Sequence, residues 1–300
     1  MTLLDELGAA VSATAASAGT SIVGIGRHTR GSGVVIADGQ VLTNAHNLRG
    51  HEVTVTFSDG RTTRGTVAGV DPDGDLAVIS VDTAGATPVT WGAGDTLAIG
   101  SPVFGAAATV GGGVRVTFGL VSAVSRAFRG PGGRRIAGSV EHTAPLAPGS
   151  SGGALLDTKG AFIGLNTNRI GEGFYLALPA DEALRGRIDA LGRGESAERL
   201  RLGIAIAPSH VARRLRRSVG LADRDGVLVR GLEDDGLAAA AGIEPGDLIV
   251  SAGGRPVTDG DDLFDALGSV TVPFEVGLVR GAEERSVTVG APKGRTPGDA

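Results

Sequence analysis

An all-β architecture of many short strands, followed by a smaller α+β unit, is the fold class this chain predicts. Three observations carry it. Glycine supplies 51 of the 300 residues and aromatic residues only 3%, so the core has to be built from Val, Leu, Ile and Ala between frequent turns. Brief β-branched runs at 34–36, 53–57, 65–70 and 114–118 alternate with Gly, Asp and Asn turns such as Ser58-Asp59-Gly60. After Leu178-Pro179 that rhythm stops, and helical and polar stretches take over. Periodicity alone says no more than all-β.

Taken in order, residues 1–18 are Ala-rich and predict a short helix, with Leu3, Leu4, Leu7 and Val11 on one face. Residues 19–186 hold the strand-rich unit. A helix is expected over 181–191, and 187–199 reads as its end plus a linker, with Gly192-Arg193-Gly194-Glu195-Ser196 as the polar part. Residues 200–290 form a second unit, and the polar tail 291–300 is expected to be disordered. Inside the second unit lies the basic run Arg213-Arg214-Leu215-Arg216-Arg217. Val211, Leu215 and Val219 recur every four residues around it, which favours an amphipathic helix with a solvated Arg face over a site for acidic partners. No internal repeat is evident.

Composition narrows the function classes. The formal net charge is −5, which gives no support to a nucleic-acid partner. There is no cysteine, so disulfides, thiol chemistry and Cys-ligated metals are excluded. The histidines show no His-x-x-x-His spacing and no carboxylate cluster, so neither a metal nor another cofactor is expected. The start, Met1-Thr2-Leu3-Leu4-Asp5-Glu6-Leu7, lacks the charged and apolar parts of an export signal, and no run of about eighteen apolar residues occurs. A cytoplasmic protein is the expectation, the alternative being that a signal or anchor has been removed.

The segment Ala147-Pro148-Gly149-Ser150-Ser151-Gly152-Gly153-Ala154-Leu155 sets a serine in a glycine-rich loop that feeds an apolar run. A hydroxyl is a weak nucleophile, so it needs a base, a group to orient that base, and donors for the oxyanion it creates. By itself such a loop reads as an ordinary turn. Two upstream segments change that: Val41-Leu42-Thr43-Asn44-Ala45-His46 ends a strand on a histidine, and Asp75 opens the apolar run Leu76-Ala77-Val78-Ile79. His51 sits in a polar stretch and reads as exposed. His142 lies nine residues before Ser151 but has no evident partner, and Asp71 and Asp73 read as turn caps.

The order His46, Asp75, Ser151 is that of chymotrypsin-type enzymes. Together with Gly31-Ser32-Gly33, Asp75-Leu76-Ala77-Val78, Pro148-Gly149-Ser150-Ser151-Gly152-Gly153 and Ile163-Gly164-Leu165-Asn166-Thr167, the chain resembles the HtrA/Deg family of trypsin-like serine proteases over roughly residues 19–290. The resemblance implies a chymotrypsin-like double barrel, with His46 and Asp75 from the first barrel and Ser151 from the second. It also implies an oxyanion hole from the N–H groups of Gly149 and Ser151. Ser150, Ala154 and Asn47 depart from the family pattern, as does the proline-stiffened segment from His142 to Ala147. With no acid just before Ser151, a medium apolar pocket at Leu146, Asn166 and Thr167 is expected.

In the second unit, Arg201-Leu202-Gly203-Ile204 and the run Gly242-Ile243-Glu244-Pro245-Gly246-Asp247 resemble a PDZ domain. Leu202, Gly203 and Ile204 would then hold the carboxylate of a peptide that adds a strand beside them. The function implied is an endopeptidase for unfolded or damaged proteins with a PDZ unit for C-terminal peptides. The alternative is a peptide-binding or chaperone-like protein with a mostly resting protease domain. A homo-oligomer is compatible with the family, but its trimers use aromatic residues near the N-terminus and here the first aromatic is Phe57, which speaks against a trimer.

Overall fold

The computed structural model describes residues 2–130, 135–195, 200–207 and 209–290. It separates into two compact units, Met1–Ala197 and Glu198–Ala300. The expected tail, 291–300, and the 196–199 part of the expected linker lie outside the described residues.

The first unit opens with α1 (Leu3–Ala18) and continues with β1 (Ile22–Ile25), β2 (Gly31–Ala37), β3 (Gln40–Thr43), β4 (Glu52–Thr56), β5 (Thr62–Asp71) and β6 (Leu76–Ser80). These six strands close into an antiparallel barrel in the order β1-β2-β3-β6-β5-β4. Closure leaves no free sheet edge. Inward residues such as Val23, Ile25, Val35, Val41, Val55 and Ile79 fill the interior. A second barrel follows, made of β7 (Pro102–Ala108), β8 (Val114–Arg129), β9 (Arg135–His142), β10 (Ala154–Leu156), β11 (Phe162–Arg169) and β12 (Tyr175–Pro179). It closes in the order β10-β11-β12-β9-β8-β7. The double barrel expected from the resemblance is therefore present.

Helix α1 starts with a capping box: the Thr2 hydroxyl accepts from the Asp5 N–H, and the Asp5 carboxylate accepts from the Thr2 N–H. Its inner face is Leu7, Ala10 and Val11, with Thr14 and Ala18 fully covered. Leu4, expected on that face, is 76% exposed, because the helix is covered only from its second turn onward.

Helix α2 (Glu182–Gly192) closes the first unit. The Asp181 carboxylate accepts the Leu184 N–H at 2.8 Å, and Leu184, Ile188 and Leu191 are buried against the barrel strands β5 and β6. Each such side chain contributes roughly 1.5–3 kcal/mol of gross burial, which fixes the helix to the barrel. A boundary at 186 would cut this helix in two; the whole of α2 belongs to the first unit.

The second unit comprises β13 (Ile204–Ala207), α3 (Ser209–Ser218), β14 (Val227–Leu232), α4 (Leu237–Ala240), β15 (Leu248–Ala252), β16 (Arg255–Pro256), α5 (Gly260–Leu267), β17 (Phe274–Arg280) and β18 (Glu283–Val289). Its sheet runs β13-β14-β15-β17-β18, with β16 paired to β15, so β13 is an edge. The core holds Val229, Ile249, Leu263, Val276 and Leu278. The expected stripe on α3 is displaced: Ala212 and Arg216 are buried, Leu215 is partly exposed, and Val219 lies beyond the helix end and is exposed. Arg213 pairs with Asp225 and Arg217 with Asp223, while Arg216 Nε donates to the Ala222 carbonyl. Among the described residues no helix is long and apolar enough to cross a membrane.

Candidate active site

β3 ends at Thr43, and the short turn of helix Ala45–Asn47 that follows carries His46. Asp75 stands between β5 and β6 with a left-handed backbone, φ 55°. That conformation is strained for a residue with a Cβ, and here the Asn44 side-chain amide holds it by donating to the Asp75 carbonyl at 2.9 Å. The Asp75 carboxylate is only 2% exposed and is well supplied with donors. His46 Nδ1 lies 2.8 and 3.0 Å from its two oxygens, the His46 backbone N–H donates at 3.1 Å, and the Thr167 hydroxyl donates at 3.1 Å. An ionised carboxylate only accepts, so Nδ1 carries the proton and Nε2 is left as the basic nitrogen.

The competing carboxylate Asp71 caps its own turn, accepting the Gly74 N–H at 2.9 Å. His51 is exposed.

Ser151 sits at the loop before β10, and its hydroxyl donates to the Thr167 carbonyl at 2.8 Å. Among the described residues no hydrogen bond joins it to His46, although both line one cavity of about 210 Å³ with Asp75 and Thr167. Gly149 and Gly152 both have positive φ, 88° and 84°, which turns the loop tightly around the serine. A Cβ on Gly152 would strike the Ser32 carbonyl and the Thr43 hydroxyl. Among the described residues neither the Gly149 N–H nor the Ser151 N–H donates to a protein acceptor.

Two residues not expected to matter lash this loop to the first barrel. The Ser32 hydroxyl donates to the Gly149 carbonyl at 2.9 Å, and the Ser32 N–H donates to the Ser151 carbonyl at 2.8 Å. The Asn47 amide donates to the Thr43 hydroxyl and to the same Ser151 carbonyl, at 3.0 and 2.9 Å. Asn47 had registered only as a departure from the family pattern.

A second cavity of about 210 Å³ is lined by the 147–151 loop together with Leu146, Asn166, Thr167, Asn168, Arg169 and Tyr175. Leu146, Asn166 and Thr167 all line it, yet the wall is more polar than an apolar pocket, with Arg169 its one charged member among the described residues. Asn166 and Thr167 are buried, and their polar groups are already engaged. Asn166 Nδ2 donates to the Ala154 carbonyl at 2.8 Å, and its Oδ1 accepts from His142 Nε2 at 3.1 Å. His142 thus has the partner the sequence did not reveal. It is fully buried and stacks on Tyr175 at 5.9 Å between ring centroids, and among the described residues its Nδ1 has no hydrogen-bond partner. Burial drives its pKa down to about 4, against a smaller opposing effect of the Asn166 bond.

In the second unit, Gly203 has φ 71°, and the carbonyls of Leu202 and Gly203 accept from the Ala238 and Glu233 N–H groups. Among the described residues the N–H groups of Leu202 and Gly203 have no protein acceptor, and Ile204 opens the edge strand β13.

A family model of the trypsin-like peptidase domain matches residues 31–165, and one of the PDZ domain matches 228–280. The chain is 33% identical over 272 residues to a probable periplasmic serine endoprotease, DegP-like, of Halomonas elongata, covering 88% of this chain and 56% of that protein. It is 30% identical over 276 residues to the serine protease PepD of Mycobacterium tuberculosis, with 82% and 56% covered. The chain thus spans about half the length of the curated relatives it matches. The solved HtrA-type protease AlgW with a decapeptide superposes with a TM-score of 0.69 at 25% identity, covering 94% of this chain and 97% of that one. The expectation of a cytoplasmic protein is overturned by the relatives named as periplasmic; it had rested on where the chain begins, which does not report its compartment. The barrels, the PDZ unit and these matches agree: the chain belongs to the HtrA family of trypsin-like serine proteases with a C-terminal PDZ domain.

Proposed function

We propose that the first unit is a serine endopeptidase acting on unfolded polypeptide, with Ser151 as nucleophile, His46 as base and Asp75 as the orienting carboxylate. The observation that carries this reading is the buried Asp75 bonded to His46 Nδ1, beside a serine loop with two unspent N–H groups. In the first step Ser151 Oγ turns toward His46, gives its proton to Nε2 and attacks the peptide carbonyl. The oxyanion is received by the Gly149 and Ser151 N–H groups, each donor of this kind being worth about 3 kcal/mol of barrier. Asp75 stabilises the imidazolium without taking its proton, and His46 then protonates the leaving amine. Water repeats the sequence on the acyl-enzyme and frees Ser151. The polar cavity at Leu146, Asn166 and Thr167 would receive the side chain before the cut bond.

The PDZ unit would bind the C-termini of peptides. Its support is the free edge of β13 next to the unspent Leu202 and Gly203 N–H groups, and a relative solved with a bound decapeptide. The periplasmic relatives point to an extracytoplasmic site of action.

Cleavage of unfolded casein by the wild type and by Ser151→Ala tests the reading. The variant should lose on the order of 10⁴-fold or more in kcat with an unchanged circular dichroism spectrum. Equal cleavage by both would remove Ser151 from the chemistry. A folded wild type that binds casein without cutting it would favour a peptide-binding role.

A further inference from the structure

Four residues, 72–75, connect β5 to β6 and are closed at their base by the Asp71↔Leu76 pair. The Asp71 side chain is 9% exposed and its two oxygens face different ways. One accepts the Gly74 N–H from inside the loop at 2.9 Å; the other takes Arg187 Nη2 from α2 at 2.5 Å. A Cβ on Gly74 would run into the guanidinium and the Asp71 carboxylate. The arginine therefore fills the space that the loop leaves beside Gly74.

The helix that supplies it is a firm platform. Leu184, Ile188 and Leu191 are buried on either side of Arg187 in sequence. A Cβ on Gly69 in β5 would collide with the Leu191 backbone, so helix and strand meet main chain to main chain. At the other end of the same short loop stands Asp75, non-glycine at φ 55°. A strained residue of this kind persists only where its surroundings hold it. Asn44 holds its carbonyl. The turn leading into it is held by Asp71, and Asp71 is neutralised by Arg187.

We infer that Arg187 is a positioning residue for the triad: through Asp71 it closes the 72–75 turn and so keeps the Asp75 carboxylate on His46 Nδ1. This rests on the endopeptidase reading above. Without the guanidinium, the buried Asp71 carboxylate loses the Arg187 ion pair and the turn can open toward water. The backbone at Asp75 then relaxes, and its carboxylate shifts from the imidazole. Misplacement on this scale affects the reaction more than binding.

The test uses the full chain and a peptide reporter, with rates referred to the folded fraction. Arg187→Ala should lower kcat on the order of 10-fold to 100-fold while KM stays within about twofold. Gly74→Ala should do the same with Arg187 still present, because the new methyl occupies the guanidinium's place. Arg187→Lys, or methylguanidine added to Arg187→Ala, should restore part of kcat. Unchanged kcat in Arg187→Ala and Gly74→Ala, in a protein that Ser151→Ala inactivates, overturns the inference and leaves the endopeptidase reading intact. So does a loss that tracks the fall in Tm and that neither lysine nor methylguanidine relieves. A wild type that cuts nothing overturns the endopeptidase reading and this inference with it.

Discussion

Thr167 donates its hydroxyl to Asp75 and accepts the Ser151 hydroxyl with its carbonyl, so one residue touches two members of the proposed triad. A hydrogen bond to a charged group contributes about 1.5–3 kcal/mol. Thr167→Val keeps the shape and removes the donor, and kcat is expected to fall about tenfold or more with little change in KM; a variant with wild-type kcat would show that the bond is idle. The sequence pointed to Thr167 only as a pocket wall. Its bond to Asp75 spans 92 positions and leaves no local pattern. Ser32 and Asn47 were hidden for the same reason, since each acts on a loop more than a hundred positions away. His46, Asp75 and Ser151 were legible because each lies in its own short motif. His142 offers a second test at this scale. Its pKa is about 4 in the fold, where burial dominates, and near 6.5 unfolded. The fold therefore favours the neutral ring. This contribution is complete above about pH 6.5 and is lost as pH falls toward 4, by about 3 kcal/mol in all. Thermal unfolding of the wild type between these limits should lose more Tm than that of His142→Gln; parallel curves would contradict the assignment.

At the scale of elements, α2 and β13 show what local signals can and cannot carry. α2 was legible because Asp181 caps it and its apolar residues recur at helical spacing. That it seats on β5 and β6, making it part of the protease unit, depends on Gly69 allowing main chain to approach main chain. No window of sequence contains that fact. On α3 the spacing of Val211, Leu215 and Val219 was read correctly as helical, but only Val211 packs on the core; Leu215 and Val219 are exposed, and Arg216 turns inward to the Ala222 carbonyl. β13 is an edge strand beside two unspent N–H groups, so its occupant should be a peptide strand ending in a carboxylate. Charge-assisted hydrogen bonds are the stronger kind. Calorimetry with matched peptides should show the free acid binding at least about tenfold tighter than the amide; equal affinities would eliminate the carboxylate loop at Leu202, Gly203 and Ile204.

At the scale of the molecule, a cysteine-free, aromatic-poor chain builds two closed barrels and a separate PDZ unit. The all-β rhythm was written in glycine and β-branched runs; the pairing of twelve strands into two barrels was available only through family resemblance, because strand order is not encoded in period. The proposed site draws His46 and Asp75 from one barrel and Ser151 from the other, and Ser32 and Asn47 tie the second to the first. The central claim is that this assembly makes Ser151 a nucleophile. A peptidyl phosphonate probes it directly, since the reagent needs an activated serine and an open oxyanion site together. After incubation with the wild type and with His46→Ala, peptide mass spectrometry should find a single adduct on Ser151 in the wild type and almost none in the variant. An adduct on another residue, or equal labelling of Ser151 in both proteins, would contradict it.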